Sequence, residues 1–290
     1  MLATLLDVGS WRRSSRKRIA EALHEHPALW RRARRLRDGV LRHLPPVEVP
    51  PYGRFHRDDF MLRAFGLTPT GIAAYLDSAR QTIDAVAELA RTAGADVDGG
   101  RWLEIGAGYG RLLRVLVETV PRERIAVLEL DPTAVRFTAG ELGIAAKRSD
   151  TAFQVEAGGT FDVVFAISVI THIDRQASLQ LLRLGARSLA PGGAFVFSTH
   201  GQRALDELEQ NNPGSFGGVR ADVERAWETS GFSYSPYRFT RGEYGMTWHR
   251  PDVVASMLAE ADDELEIVAH EPAGLLGFQD LWVVRRPATR

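Results

Sequence analysis

"WLEIGAGYGRLLR" occupies positions 102–114. A short apolar run enters three glycines at alternate positions, Gly106, Gly108 and Gly110, and a second apolar run leaves them. A strand that passes through glycines into a helix is the ligand-binding turn of an α/β sheet. Glycine permits positive φ and lets a ligand lie against bare main chain. Amides at the start of the following helix then face polar or anionic atoms of that ligand. The dinucleotide fingerprint requires a third glycine three places after the second. Position 111 is Arg and the third glycine stands at 110, so the spacing is G-x-G-x-G.

Outward from this turn, strands and helices alternate. Strands are expected at 102–105, 125–130, 144–147, 161–168 and 194–200, with helices at 111–119, 133–142 and 175–189, the last ended by "APGG". Such alternation implies a parallel sheet with helices on both faces. "ELEIVAH" (264–270) and "QDLWVVRR" (279–286) lie too close for a helical crossover and should pair antiparallel. The fold class is thus a doubly wound α/β sheet of about seven strands, the last antiparallel. Upstream, Ile72, Leu76, Ile83, Val86, Ala87 and Ala90 give a helical face that Gly94 ends. Residues 10–44 read as a further helix, with Leu29, Ala33, Leu36 and Val40 as its packed stripe, stopped by "LPPVEVPPYG". Three regions follow: a basic helical arm (1–50), a helical cap (51–98) and the sheet domain (99–290) with an inserted lid at 201–249.

The 290 residues are 44% apolar and 25% charged, ordinary for a globular chain. Cysteine is absent, which excludes disulfides and thiolate metal sites, and no histidine pair has ligand spacing beside a carboxylate motif. No apolar run is long enough to span a bilayer, and no secretory signal follows the basic N-terminus, so a cytoplasmic location is expected. A net charge of −1 argues against bulk nucleic-acid binding. The charge is uneven: residues 1–50 carry 11 Lys/Arg against 5 Asp/Glu, and the other 240 carry 25 against 32. The arm is either a solvated helix or an adhesive face for an anionic partner, a membrane surface or a second copy in a homodimer.

With Glu104 before the glycines, the turn resembles that of class I S-adenosylmethionine-dependent methyltransferases. "AVLELDP" ends the second strand, with Glu129 placed 23 residues after Gly106, and "FDVVFAISVITHID" and "LAPGGAFVFSTHG" stand where that class has its fourth and fifth strands. The resemblance covers about residues 70–286 and implies a Rossmann-like sheet. "SVITHID", "PGGAFVFSTHG", "EYGMTWHRPDVV" and "GFQDLWVVRR" further resemble a bacterial group found beside glycosyltransferases and other tailoring enzymes. That group often has Cys at 107 and Ser near 249, where this chain has Ala107 and His249.

The resemblance implies S-adenosylmethionine as cofactor and assigns its contacts. Gly106 and Gly108 line the methionine and ribose portion, and Ala107 and Ile167 are further cofactor-binding residues. Glu104 meets the methionine ammonium, Glu129 the ribose hydroxyls, Leu130 the adenine face and Asp150 the adenine amino group. Gly110 serves either the cofactor or helix–sheet packing, and Asp150 is equally a helix cap. "YLDSA" (75–79) is implied to lie near the cofactor, with Tyr52, His56, Arg57 and Tyr75 closing that side.

Methyl transfer from a sulfonium needs positioning above all. A base is needed only when the acceptor must shed a proton. His200, at the end of the fifth strand, is the leading base candidate. His172 is either a base or a loop-bonding structural histidine, and His249 and Tyr244 either touch the acceptor or pack the lid. The lid carries Phe216, Trp227, Phe232, Tyr234, Tyr237, Phe239, Tyr244 and Trp248, with Asn211, Asn212, Arg238 and Arg241. That content suits a ring-shaped or sugar-like acceptor, and equally a small aromatic subdomain. The expected function is methylation of a small molecule or glycan, on oxygen. A nicotinamide-dependent oxidoreductase is the rival; its catalytic Tyr-x-x-x-Lys pair is missing, as Lys17 and Lys147 are the only lysines. A catalytically silent partner protein conflicts with intact Glu104, Gly106, Gly108 and Glu129. Base methylation of nucleic acid lacks its Asn/Asp-Pro-Pro-Tyr signature where "AISV" stands.

Overall fold

A computed structural model describes residues 27–50, 52–208, 220–237 and 244–288. The expected helix before residue 27 and the lid residues Asn211, Asn212, Phe216, Arg238, Phe239 and Arg241 lie outside the described residues. In chain order the elements are α1 (Pro27–His43), β1 (Val47–Glu48), β2 (Arg54–Phe55), α2 (Phe60–Phe65), α3 (Pro69–Thr92), β3 (Trp102–Ile105), α4 (Leu113–Leu116), β4 (Ile125–Glu129), α5 (Pro132–Phe137) and β5 (Ala145–Arg148). They continue with β6 (Phe161–Ala166), α6 (Arg175–Arg187), β7 (Leu189–Thr199), α7 (Gln202–Asp206), α8 (Arg220–Ser230), β8 (Phe232–Pro236), β9 (Gly245–His249), α9 (Pro251–Ala261), β10 (Glu266–Leu275) and β11 (Gln279–Arg285).

Seven strands form one sheet in the order β10–β11–β7–β6–β3–β4–β5. β3, β4, β5, β6 and β7 run parallel, while β11 lies antiparallel between β7 and β10. The strands are apolar without alternation because both faces are covered. On β6, Val163 and Phe165 join the core under α3 and α4, while Val164 and Ala166 join the core under α6 and α9. All four are fully buried, at about 1.5–3 kcal/mol for each large side chain. β5, at the open edge, is mostly exposed and carries Lys147 and Arg148, charges that discourage pairing with another chain.

Local chemistry sets the ends of the helices. α3 starts where the Thr68 side chain accepts from the Gly71 amide with Pro69 in the first turn, and it stops before Gly94, whose φ is +84°. The helix expected at 111–119 keeps α geometry only at Leu113–Leu116. Tighter turns flank it, such as Glu118 N–H to Val115 O, in a stretch rich in β-branched Val and Thr. "APGG" does not stop a helix ahead of a later strand. α6 ends at Arg187, and β7 already starts at Leu189 and runs through the glycines as an irregular bulge. The Gly192 amide donates to Arg286 O at 2.9 Å, which ties the bulge to the end of β11.

The expected packed stripe of α1 is a further correction. Leu36 is 73% and Val40 41% exposed, and Ala33 is exposed too; the nearby Leu41 is buried instead. The lid has its own core, in which Ala204, Leu205, Leu208, Val223, Trp227, Tyr237, Met246 and Trp248 pack together. Among the described residues no helix is long and apolar enough to cross a membrane.

Candidate functional site

The parallel strands β3, β4 and β6 all point their carboxyl ends at one cavity of about 540 Å³. Its floor is the glycine turn. Gly106 has φ +84°, and a Cβ there would stand 2.5 Å from Val169 Cγ2, so no other residue fits without displacing the β6 loop. Gly108 has φ +54° with open space where a Cβ would go, so its main chain is bare to the cavity. Gly110 has φ +82° and faces Leu142, which favours the packing role, and it does not line the cavity.

Two acids flank this turn. Glu129, at the end of β4, accepts the Gly108 amide on Oε2 and the Asp131 amide on Oε1, each at 2.7 Å. It thereby staples the two strand ends together. Burial raises its pKa, and the two amides oppose that rise. Glu104, on β3, is almost wholly buried, and its Oε2 has no hydrogen-bond partner among the described residues. Burial pushes its carboxyl up to about 8, against the opposing pull of Arg111, while the Glu129 charge adds to the rise. At that value the protonated form of the carboxyl is favoured at neutral pH.

Arg111, the residue that breaks the dinucleotide spacing, also lines the cavity. Its Nη1 donates to Ser78 Oγ at 3.1 Å, which brings the end of "YLDSA" to the site. The cap contributes Asp58, Asp59, Phe60 and Met61 to the wall. They are held by side chains behind them. Tyr75 Oη donates to Asp59 Oδ2 at 2.6 Å, and His56 stacks on Tyr109 of the glycine turn at 4.3 Å. Tyr52, His56, Arg57 and Tyr75 themselves do not line the cavity.

The opposite wall comprises Ile167, Ser168, His172, Tyr237 and Tyr244. Ser168 has φ +58°, uncommon for a side-chain-bearing residue. Ser198 Oγ accepts its amide at 2.7 Å and Gln279 Oε1 accepts its hydroxyl at 3.1 Å, which hold this turn in place. His172 Nδ1 lies 2.9 Å from Gly245 O and 3.0 Å from Tyr237 Oη, and its ring stacks on Tyr244 at 4.9 Å. Burial lowers its pKa, partly offset by the Gly245 carbonyl.

Besides Gly110, four expected site residues fall elsewhere. His200 is buried behind His172, with ring centroids 6.2 Å apart and Nδ1 3.1 Å from Thr247 O, and it does not line the cavity. His249 is buried under Phe232, and neither ring nitrogen has a partner among the described residues. Burial drives both histidines down to about 3. Leu130 is 46% exposed and outside the lining, where Asp131 stands instead. Asp150 is exposed and accepts the Ala152 and Gln154 amides at 2.9 and 3.2 Å, a local cap. The sequence reading missed Asp58, Asp59, Arg111, Asp131 and Ser168. Asp131 was visible as the cap of a helix opening "DPT", since its side chain accepts the Thr133 amide.

No curated protein matches the chain by sequence. Among solved structures, the glycopeptide N-methyltransferase MtfA is 18% identical, with a TM-score of 0.50, covering 83% of this chain and 100% of that one. CalS10, an amino pentose methyltransferase from Micromonospora echinaspora, is 20% identical with a TM-score of 0.48, over 70% and 90% of the two chains. At such identities the likeness is one of fold. The model of a family described as a methyltransferase domain matches residues 76–252, more than half of the sequence. The chain belongs to that methyltransferase-domain family.

Proposed function

We propose that the protein is an S-adenosylmethionine-dependent methyltransferase that moves a methyl group in line onto a hydroxyl of a small-molecule or glycan acceptor. One observation carries this reading: the buried Glu104 carboxyl, whose Oε2 has no partner among the described residues, shares a cavity floor with the Gly108 main chain and Glu129. A buried polar group without a partner is costly, and a ligand ammonium would relieve that cost. The residues therefore fit the cofactor. Glu104 would take its ammonium and Arg111 its carboxylate. Glu129 would take the ribose hydroxyls on the lone pairs that the two amides leave free. Ala107 and Ile167 would supply apolar contact, and the adenine end would fall near Asp131 rather than Leu130 and Asp150.

When bound, the cofactor supplies a methyl group on a positively charged sulfur, and the protein's main task is to align the acceptor with it. His172 supports an oxygen acceptor. With Nδ1–H donating to the Gly245 carbonyl, the tautomer that this 2.9 Å contact favours, Nε2 would carry the lone pair. Burial keeps the ring neutral, so Nε2 can accept the proton that a hydroxyl releases. The base role thus passes from His200 to His172. Tyr237 and Tyr244, from the lid, would stack on a ring-shaped acceptor. The resemblance of its motifs to those of the bacterial tailoring group supports a natural-product or polysaccharide acceptor.

Calorimetry with S-adenosylmethionine, followed by incubation of labelled cofactor with candidate sugars and aromatic metabolites, tests the reading. Binding with label transfer to an oxygen is expected. Absence of cofactor binding would remove the enzyme reading and leave the silent partner role.

A further inference from the structure

Helix α1 is unlike the rest of the surface. Its 17 residues, "PALWRRARRLRDGVLRH", contain six arginines and one aspartate. At 100° per residue, Ala33, Leu36 and Val40 share one stripe, and Leu29 falls on it by spacing. Leu36 and Val40, one turn apart, stay 73% and 41% exposed, and Ala33 is exposed as well. Arg32, also exposed, flanks the stripe on one side and the half-buried Arg37 flanks it on the other. An apolar stripe between arginines, on a helix too charged to enter hydrocarbon, is the pattern of a helix that lies in the plane of a lipid surface.

We propose that α1 is a peripheral membrane-binding helix. It seats Leu36 and Val40 among lipid chains and sets Arg32, at the edge of the stripe, against anionic headgroups. Charge complementarity selects this occupant. A second copy meeting the helix stripe to stripe would bring Arg32 and Arg37 against the same arginines of that copy, whereas anionic lipid neutralises them. The sequence before α1 keeps the same sign, with Arg12, Arg13, Arg16, Lys17 and Arg18. This inference does not depend on the proposed reaction.

Vesicle flotation of the whole protein tests it. Phosphatidylcholine vesicles are compared with vesicles of equal parts phosphatidylcholine and phosphatidylglycerol, at about 50 mM and about 500 mM salt, concentrations that change the screening length severalfold. The protein is expected to float with the anionic vesicles at low salt, to release at high salt, and to ignore the neutral ones. Leu36→Asp combined with Val40→Asp should reduce binding at least tenfold, and Arg32→Glu about fivefold. All three side chains are exposed, so thermal melting and cofactor affinity should stay at native values. The lipid and salt comparison on the native protein needs no variant. Failure to float with anionic vesicles at low salt would overturn the proposal, as would flotation that the aspartate pair leaves intact. A lipid-free dimer that the aspartate pair splits in sedimentation would overturn it too, by assigning the stripe to a second copy.

Discussion

The two walls of the cavity are built differently. The floor, from Glu104 to Asp131, is one βαβ unit, in which main chain and two strand-borne acids do the work. The opposite wall gathers Ser168, His172, Tyr237 and Tyr244 from three separate segments, and His172 is fixed by a carbonyl 73 residues away. A wall made of side chains from an insertion defines one member. Substitutions should therefore divide cleanly: floor changes weaken the cofactor, and wall changes slow transfer.

The largest effect is expected at His172. His172→Ala should lower turnover by about 100- to 10,000-fold, the range for a lost general base, with cofactor affinity near native. Turnover below the ordinary histidine pKa should fall with decreasing pH only once the depressed pKa is reached, as the neutral ring is the active form. Equal loss of affinity and turnover would merge the two walls. Glu129→Ala comes next and should weaken cofactor binding by about 1–3 kcal/mol, read by calorimetry. It should also lower the melting temperature, since the Gly108 and Asp131 amides lose their acceptor. His200→Ala should cost about 1–3 kcal/mol of stability in denaturant while folded enzyme keeps its turnover. A selective loss of turnover there would return the base role to His200. Asp150→Asn is the smallest, within about 0.5 kcal/mol on binding, because its carboxylate caps a local turn away from the cavity.

The division also explains what the sequence could reveal. Glu104, the glycines and Glu129 sit at fixed spacing in one local unit, so residue order alone locates them. The antiparallel β10–β11 pair was legible because eight residues cannot hold a crossover. The sequence makes His200 the leading base candidate, whereas His172 is the ring that lines the cavity. Both stand just after strand ends, and only the docking of β9 on the β6 loop decides which ring meets the cavity and which lies behind it. Asp58 and Asp59 were hidden for the same reason, since Tyr75 and Tyr109 bring them in from 16 and 51 residues away. On α1, helical spacing identified the stripe correctly, but spacing holds no information on whether a stripe meets protein or solvent.

Glu104 joins the floor to a measurable proton. With its folded pKa raised to about 8 from 4.5, the folded protein binds the extra proton between those values. Its contribution to stability is therefore fully present below about pH 4.5 and is lost as pH rises through about 8. Cofactor-free Glu104→Gln should melt higher than the native protein at pH 9, and bind the cofactor worse. The most direct test is calorimetric titration of S-adenosylmethionine into the native protein from pH 6 to 9, in two buffers of unlike ionisation heat. Affinity should rise with pH up to about 8 and then level, with close to one proton released on binding at pH 7. An affinity that does not depend on pH, with no proton released, would mean that the orphan carboxyl is not where the cofactor's ammonium binds.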